Sequence, residues 1–194
     1  MKKTTILKAR PNTKINIQAI LFITIVIFVI LCPGCSTYRD LHLSHMEKFQ
    51  ELVQAKYPSA KVFCKYEYAS HVYLTVERES FDEEAAYTIL GILQSIVRED
   101  SFVEDLFDFY GTQLEEEPNW KNGWRPTIRL YLDAEGYSRY QFSARATKEV
   151  YNSGYDPDSY TWDGYSTWYG MEYVDHVPRD ISPEEIEEAI ERYG

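Results

Sequence analysis

From residue 44 onward the apolar residues follow two different periods, and the switches between them divide the chain into elements. Helical spacing runs through Met46, Phe49, Leu52 and Val53, and then through Ala86, Ile89, Leu90, Leu93, Ile96 and Val97. It returns at Phe102, Leu106 and Tyr110, and again at Ile186, Ala189, Ile190 and Tyr193. Each stripe is expected to face a core. A serine stands three residues before a glutamate ahead of each stripe, at Ser44 and Glu47, Ser80 and Glu83, Ser101 and Glu104, and Ser182 and Glu185. That spacing lets the two side chains satisfy each other's free amides and predicts four helix starts. The last is the most complete, because Pro183 suits the first helical position and Ile181 can pack on Ile186. Tyr57-Pro58 ends the first helix, and Arg98-Glu99-Asp100 separates the second from the third.

Alternation replaces helical spacing in four segments. Val62, Cys64 and Tyr66 followed by Val72, Leu74 and Val76 predict a hairpin turning near Ala69-Ser70. Ile128, Leu130 and Leu132 followed by Tyr140 and Phe142 predict another, turning at Asp133-Ala134-Glu135-Gly136. The order is α-β-β-α-α-β-β, then an aromatic hairpin and a C-terminal helix. It predicts an α+β fold with helices packed on one face of an antiparallel sheet.

The aromatic hairpin is the densest feature of the chain. Residues 151 to 173 hold eight aromatics and no Lys or Arg, and Asp163-Gly164 is a favoured two-residue turn. Pairing across that turn puts Trp162 beside Tyr165 and Tyr160 beside Thr167 on one face, with Trp168 on the other. Together with Asp156, Asp158 and Asp163, the residues Tyr160, Trp162, Tyr165 and Trp168 form the candidate ligand-binding surface. Tyrosine and tryptophan are enriched where peptides and proteins dock, and sugar rings stack on aromatics while hydrogen-bonding carboxylates. The same residues also suit cross-strand pairing inside a small sheet. A polar connection at 114 to 125 carries Trp120 and Trp124, which are expected to cover an open end of the core.

The first 36 residues have a different character. Lys2, Lys3, Lys8, Arg10 and Lys14 precede a run from Ala19 to Cys32 without charge or amide, followed by Pro33, Gly34, Cys35 and Ser36. A basic head, a short apolar run and a small residue before a cysteine have the layout of an export signal. The segment resembles a bacterial lipoprotein signal, with Gly34 at the small position, Cys35 at the lipid-modified cysteine and Ser36 after it. Pro33 and Cys32 depart from that pattern, as does Leu31, which stands one place too early. The resemblance implies a signal peptide at 1 to 34, a lipidated tether at 35 to 43 and one α+β domain at 44 to 194. It also implies a palmitate-bearing anchor in a bacterial cell membrane, with the domain facing outside the cytoplasm. An uncleaved anchor is the competing reading, since Ile15 to Cys32 is 18 residues long but includes Asn16 and Gln18.

Charge and cysteine content narrow the function. The whole chain carries a formal charge of −11, and loss of the five basic residues before Cys35 takes the remainder to about −16. Such a surface repels nucleic-acid phosphates, which excludes nucleic acid as a partner. With Cys35 lipidated, Cys64 is the one cysteine of the domain. It has no partner for an internal disulfide and reads as a small buried filler in its strand. Cys32-Pro33-Gly34-Cys35 is a C-x-x-C without the βαβ surroundings of a redox motif.

Asp156-Pro157-Asp158 begins like an EF-hand loop, but Thr161 and Thr167 occupy the positions of its glycine and its bidentate glutamate. His42 and His45 are three apart with no third metal ligand beside them, and no nucleophile-elbow or phosphate-loop motif occurs. No cofactor, metal site or catalytic set is expected. The expected function is that of an exported, membrane-tethered module binding a peptide, protein or envelope component. The alternative is an envelope hydrolase acting on glycans with acids among Asp156, Asp158 and Asp163.

Overall fold

The computed structural model describes residues 38–67, 71–113, 126–145, 147–148, 161–162 and 164–193. In chain order its elements are β1 (Tyr38–Asp40), α1 (Ser44–Lys56), β2 (Lys61–Glu67), β3 (His71–Arg78), α2 (Glu83–Val97) and α3 (Asp100–Gln113). They continue with β4 (Thr127–Ala134), β5 (Tyr137–Ala144), β6 (Thr147–Lys148), β7 (Thr161–Trp162), β8 (Trp168–Val174), β9 (Val177–Ile181) and α4 (Pro183–Tyr193). The fold is α+β.

The main sheet has the order β1-β2-β3-β4-β5-β8-β9, and β6 and β7 form a separate ribbon. Its neighbours pair antiparallel except β3 and β4, which run parallel from His71↔Thr127 to Arg78↔Ala134. The reason is the helical pair between them. A hairpin returns the chain antiparallel, but a crossover through α2 and α3 brings it back to the end where β3 began. The sheet is therefore mixed, where alternation alone led to an antiparallel one.

In β2 to β5 the even-numbered strand residues face the core, as does Trp168 at the start of β8, whereas in β9 the buried residue is the odd-numbered Ile181. Val62, Tyr66, Val72, Leu74, Val76, Ile128, Leu130, Leu132, Tyr140, Phe142, Ala144 and Trp168 are all buried. They form one cluster with Phe49 and Val53 of α1, the apolar stripe of α2, Phe102 and Leu106 of α3, and Ile186 and Ala189 of α4. The predicted helical stripes are thus the core side of each helix. Residues 38 to 43, expected to be tether, belong to the domain. Tyr38–Asp40 pairs with β2, and Leu41 and Leu43 are buried, so the alternation of buried Leu41 and Leu43 with exposed His42 marks a folded edge.

Of the four predicted caps, one stands as read. The Ser182 amide donates to Glu185 Oε2 at 2.9 Å and the Glu185 amide to Ser182 Oγ at 3.2 Å. Elsewhere a neighbour takes the role. Leu43 occupies the cap of α1; its aliphatic side chain has no acceptor to offer the helix amides and is buried in the core. Asp82, not Ser80, caps α2 by accepting from the Ala85 amide at 2.8 Å, and its charge complements the helix N-terminus. The α3 helix starts one residue before Ser101, whose hydroxyl meets His45 instead.

The aromatic hairpin is also corrected. Trp162 pairs with Thr147 rather than across Asp163-Gly164, and the strand that follows, β8, pairs with β5 and β9. Gly164 and Tyr165 both take left-handed backbone, φ 61° and 57°, and carry the chain out of the ribbon. The two-residue hairpins lie elsewhere. Glu135-Gly136 joins β4 to β5 and Asp175-His176 joins β8 to β9, with positive φ at all four residues as this turn requires.

Candidate functional site

Tyr165 and Trp168, two of the predicted ligand-binding aromatics, are core residues. Tyr165 is 0% and Trp168 2% exposed, so neither offers a surface to a ligand. The Trp168 indole N–H donates to the Tyr165 carbonyl at 2.9 Å, which satisfies its one polar atom inside the core. The expected split, with Tyr165 and Trp168 on opposite faces, fails because Tyr165 sits in a turn where strand alternation does not apply. Trp162 contributes backbone to β7. Tyr160, Asp156, Asp158 and Asp163 lie outside the described residues, as do Cys35 and the Trp120 and Trp124 connection.

The register of the main sheet assembles a different surface. Lys65 pairs with Tyr73, Tyr73 with Arg129, Arg129 with Ser143, and Ser143 with Tyr169. One row across five strands, on the face away from the core, is therefore Lys65, Tyr73, Arg129, Ser143 and Tyr169. The adjacent row is Phe63, Thr75, Tyr131, Gln141, Met171 and Asp180 by the same pairings.

Within these rows Tyr73 stacks on Tyr131 with ring centroids 6.2 Å apart, and Tyr38 meets the edge of Tyr73 at 5.0 Å. The Arg129 guanidinium lies 5.9 Å from the Tyr73 ring centroid, within reach of a cation–π contact. Tyr169 is 54% exposed and Phe63 40%. An open groove of about 630 Å³ runs across this face, lined among others by Arg129, Tyr131, Gln141, Arg145, Tyr169 and Asp180.

Electrostatics single out the same place. Neither Arg129 nor Arg145 forms an ion pair with another described residue, although the chain has 31 acids to 20 bases. His71, in the next row, is held below its ordinary 6.5, first by burial and then by the positive charges of Arg129 and Arg145, against the pull of Glu67. Tyr73 donates to Glu67 Oε2 at 2.8 Å, and burial together with that carboxylate pushes its phenol up, so it stays protonated.

Cys64 faces the core and burial pushes its thiol up to about 12, which leaves it unreactive at neutral pH. Among the described residues no group of three His, Cys, Asp or Glu is placed to hold a metal ion, and no helix is long and apolar enough to cross a membrane.

The platform lies away from residues 151 to 173, where aromatics are densest in the sequence. Its signal was present in odd-numbered strand positions, where Tyr73, Arg129, Tyr131 and Tyr169 occupy a face that ordinary alternation fills with short polar residues. No protein-family profile, curated protein or solved structure matches the chain.

Proposed function

We propose that this protein is an exported binding module, lipid-anchored through Cys35, whose open sheet face takes a carboxylate-bearing segment of a peptide or protein. The observation that carries this reading is a pair of arginines without acidic partners among the described residues, set in an aromatic groove on an acid-rich domain. A guanidinium is planar and pairs a carboxylate through two parallel hydrogen bonds, which favours it over lysine at such a site. Tyr131 and Tyr169 supply flat contact area at little entropic cost, as at protein-docking hot spots. The surrounding negative charge repels acidic molecules in general, so an acidic segment is held only where Arg129 and Arg145 meet it.

The test is site-specific photocrosslinking on the native membrane. A benzophenone amino acid at Gln141, inside the groove, should give a discrete adduct that disappears when Arg129→Glu is added. The same group at Leu52, an exposed position of α1, should give none. Equal adducts from both positions, or an adduct indifferent to Arg129→Glu, would overturn the proposal.

A further inference from the structure

Away from the sheet face, α1 and α3 bring three chemistry-bearing side chains together. Ser101 and Asp105 are one turn apart on α3, so their side chains share a helix face. His45 of α1 lies between them and meets each with a different ring nitrogen. Its Nε2 is 3.1 Å from Ser101 Oγ, and its Nδ1 is 3.0 Å from Asp105 Oδ2. The carboxylate oxygen sits off the line of the ring N–H, so the second contact is an ion-pair distance without a formed hydrogen bond. Looser geometry of this kind is common in catalytic sites without substrate.

Burial is distributed as nucleophilic catalysis needs. His45 is 7% exposed, and its ring is fixed edge-on to Phe102 with centroids 5.7 Å apart, whereas Ser101 is open to solvent. Glu99 Oε2 lies 3.6 Å from Nε2, and its other oxygen accepts from Lys48 Nζ at 2.6 Å, which offsets its charge beside the imidazole.

We infer that Ser101, His45 and Asp105 form a serine-hydrolase site for small neutral or cationic esters. Ser101 Oγ attacks the ester carbonyl carbon while its proton passes to His45 Nε2. The carbon–alkoxy bond then breaks, and the same proton leaves with the alcohol. Water attacks the acyl-serine and gives a proton to His45 Nε2; the acyl–Oγ bond then breaks, His45 returns that proton to Ser101 Oγ, and the acid leaves with both residues restored. Phe102 fixes the ring, and Asp105, 3.0 Å from Nδ1, faces the positive charge that forms on it. Asp100 and Glu104, on either side of Ser101 in the sequence, disfavour anionic esters. An exposed serine suits a small acyl group.

The experiment treats the full chain with a fluorophosphonate and measures intact mass, followed by p-nitrophenyl acetate turnover. One adduct per chain on the Ser101 peptide is expected. It should vanish in Ser101→Ala, which a thermal melt should show still folded, and form roughly 100-fold more slowly in His45→Gln, the lower end of what general base catalysis contributes. Asp105→Asn should slow labelling without unfolding the domain. A folded wild-type chain that takes no label, or one labelled equally after Ser101→Ala, would overturn the inference and leave the three side chains as a clamp between two helices.

Discussion

The Tyr165 hydroxyl donates a buried hydrogen bond to the Pro126 carbonyl at 2.9 Å, across 39 residues of sequence. It ties the turn before β8 to the residue just before β4. The indole of Trp168 then bonds back to the Tyr165 carbonyl, so the two buried aromatics form one bonded unit where β4 and β8 begin.

That unit should be structural in every measurement. Trp168→Ala is expected to cost about 3–5 kcal/mol, as large aromatic truncations in a core do. Tyr165→Phe keeps the ring but strands the Pro126 carbonyl, at about 1–3 kcal/mol. Denaturant melts of both variants check this. A Trp168→Ala protein as stable as wild type would show that the indole is not core.

Two glycines should respond oppositely to alanine. A Cβ on Gly170 would sit 2.9 Å from Phe142 Cδ1 and 3.3 Å from Ile181 Cβ, so Gly170→Ala is expected to destabilise by about 1–3 kcal/mol through overpacking. A Cβ on Gly91, inside α2, would meet Ile190 Cγ2 at an ordinary 3.7 Å. Gly91→Ala should therefore stabilise by about 0.5–1 kcal/mol, the gain in helix propensity. Thermal melts that rank the two the other way would contradict the α2 and β8 packing.

His71 reports on the arginine groove. Because burial and Arg129 hold its folded pKa below 6.5, the unfolded chain binds more protons between the two values. Its contribution to stability is therefore complete above about pH 6.5 and falls as the pH drops through that window. An NMR titration should place the His71 midpoint below 6.5, and Arg129→Gln should move it upward. An unchanged midpoint would separate His71 from the groove.

The proposed lipid anchor at Cys35 makes its own prediction. Metabolic labelling with a palmitate analogue should mark the wild-type chain and not Cys35→Ala, which should leave the membrane or accumulate as precursor, since stable anchoring takes more than one acyl chain. Equal labelling of the two would favour the uncleaved anchor.

By itself the sequence determined what is periodic and local. The four helices, the two hairpins β2–β3 and β4–β5 and the parity of the core residues follow from apolar spacing. The Ser182 cap follows from residues three apart. Each depends on contacts within a few positions, where side-chain type is enough to decide the outcome.

The tertiary structure alone decided which strands meet and which faces stay open. Asp163-Gly164 encodes a turn but not the partner of the strand beyond it, and burial of Tyr165 and Trp168 gave β8 to β5 and β9. The parallel β3–β4 pair arises from the crossover, which no local pattern records. His45, Ser101 and Asp105 came together only because α1 packs against α3, across 56 residues between His45 and Ser101. Lys65, Tyr73, Arg129, Ser143 and Tyr169 became a row through pairings among five strands. Alternation puts Tyr73, Arg129 and Tyr169 on the outer face of their strands, but which strands adjoin depends on how the whole chain shares one core, and that has no local signal.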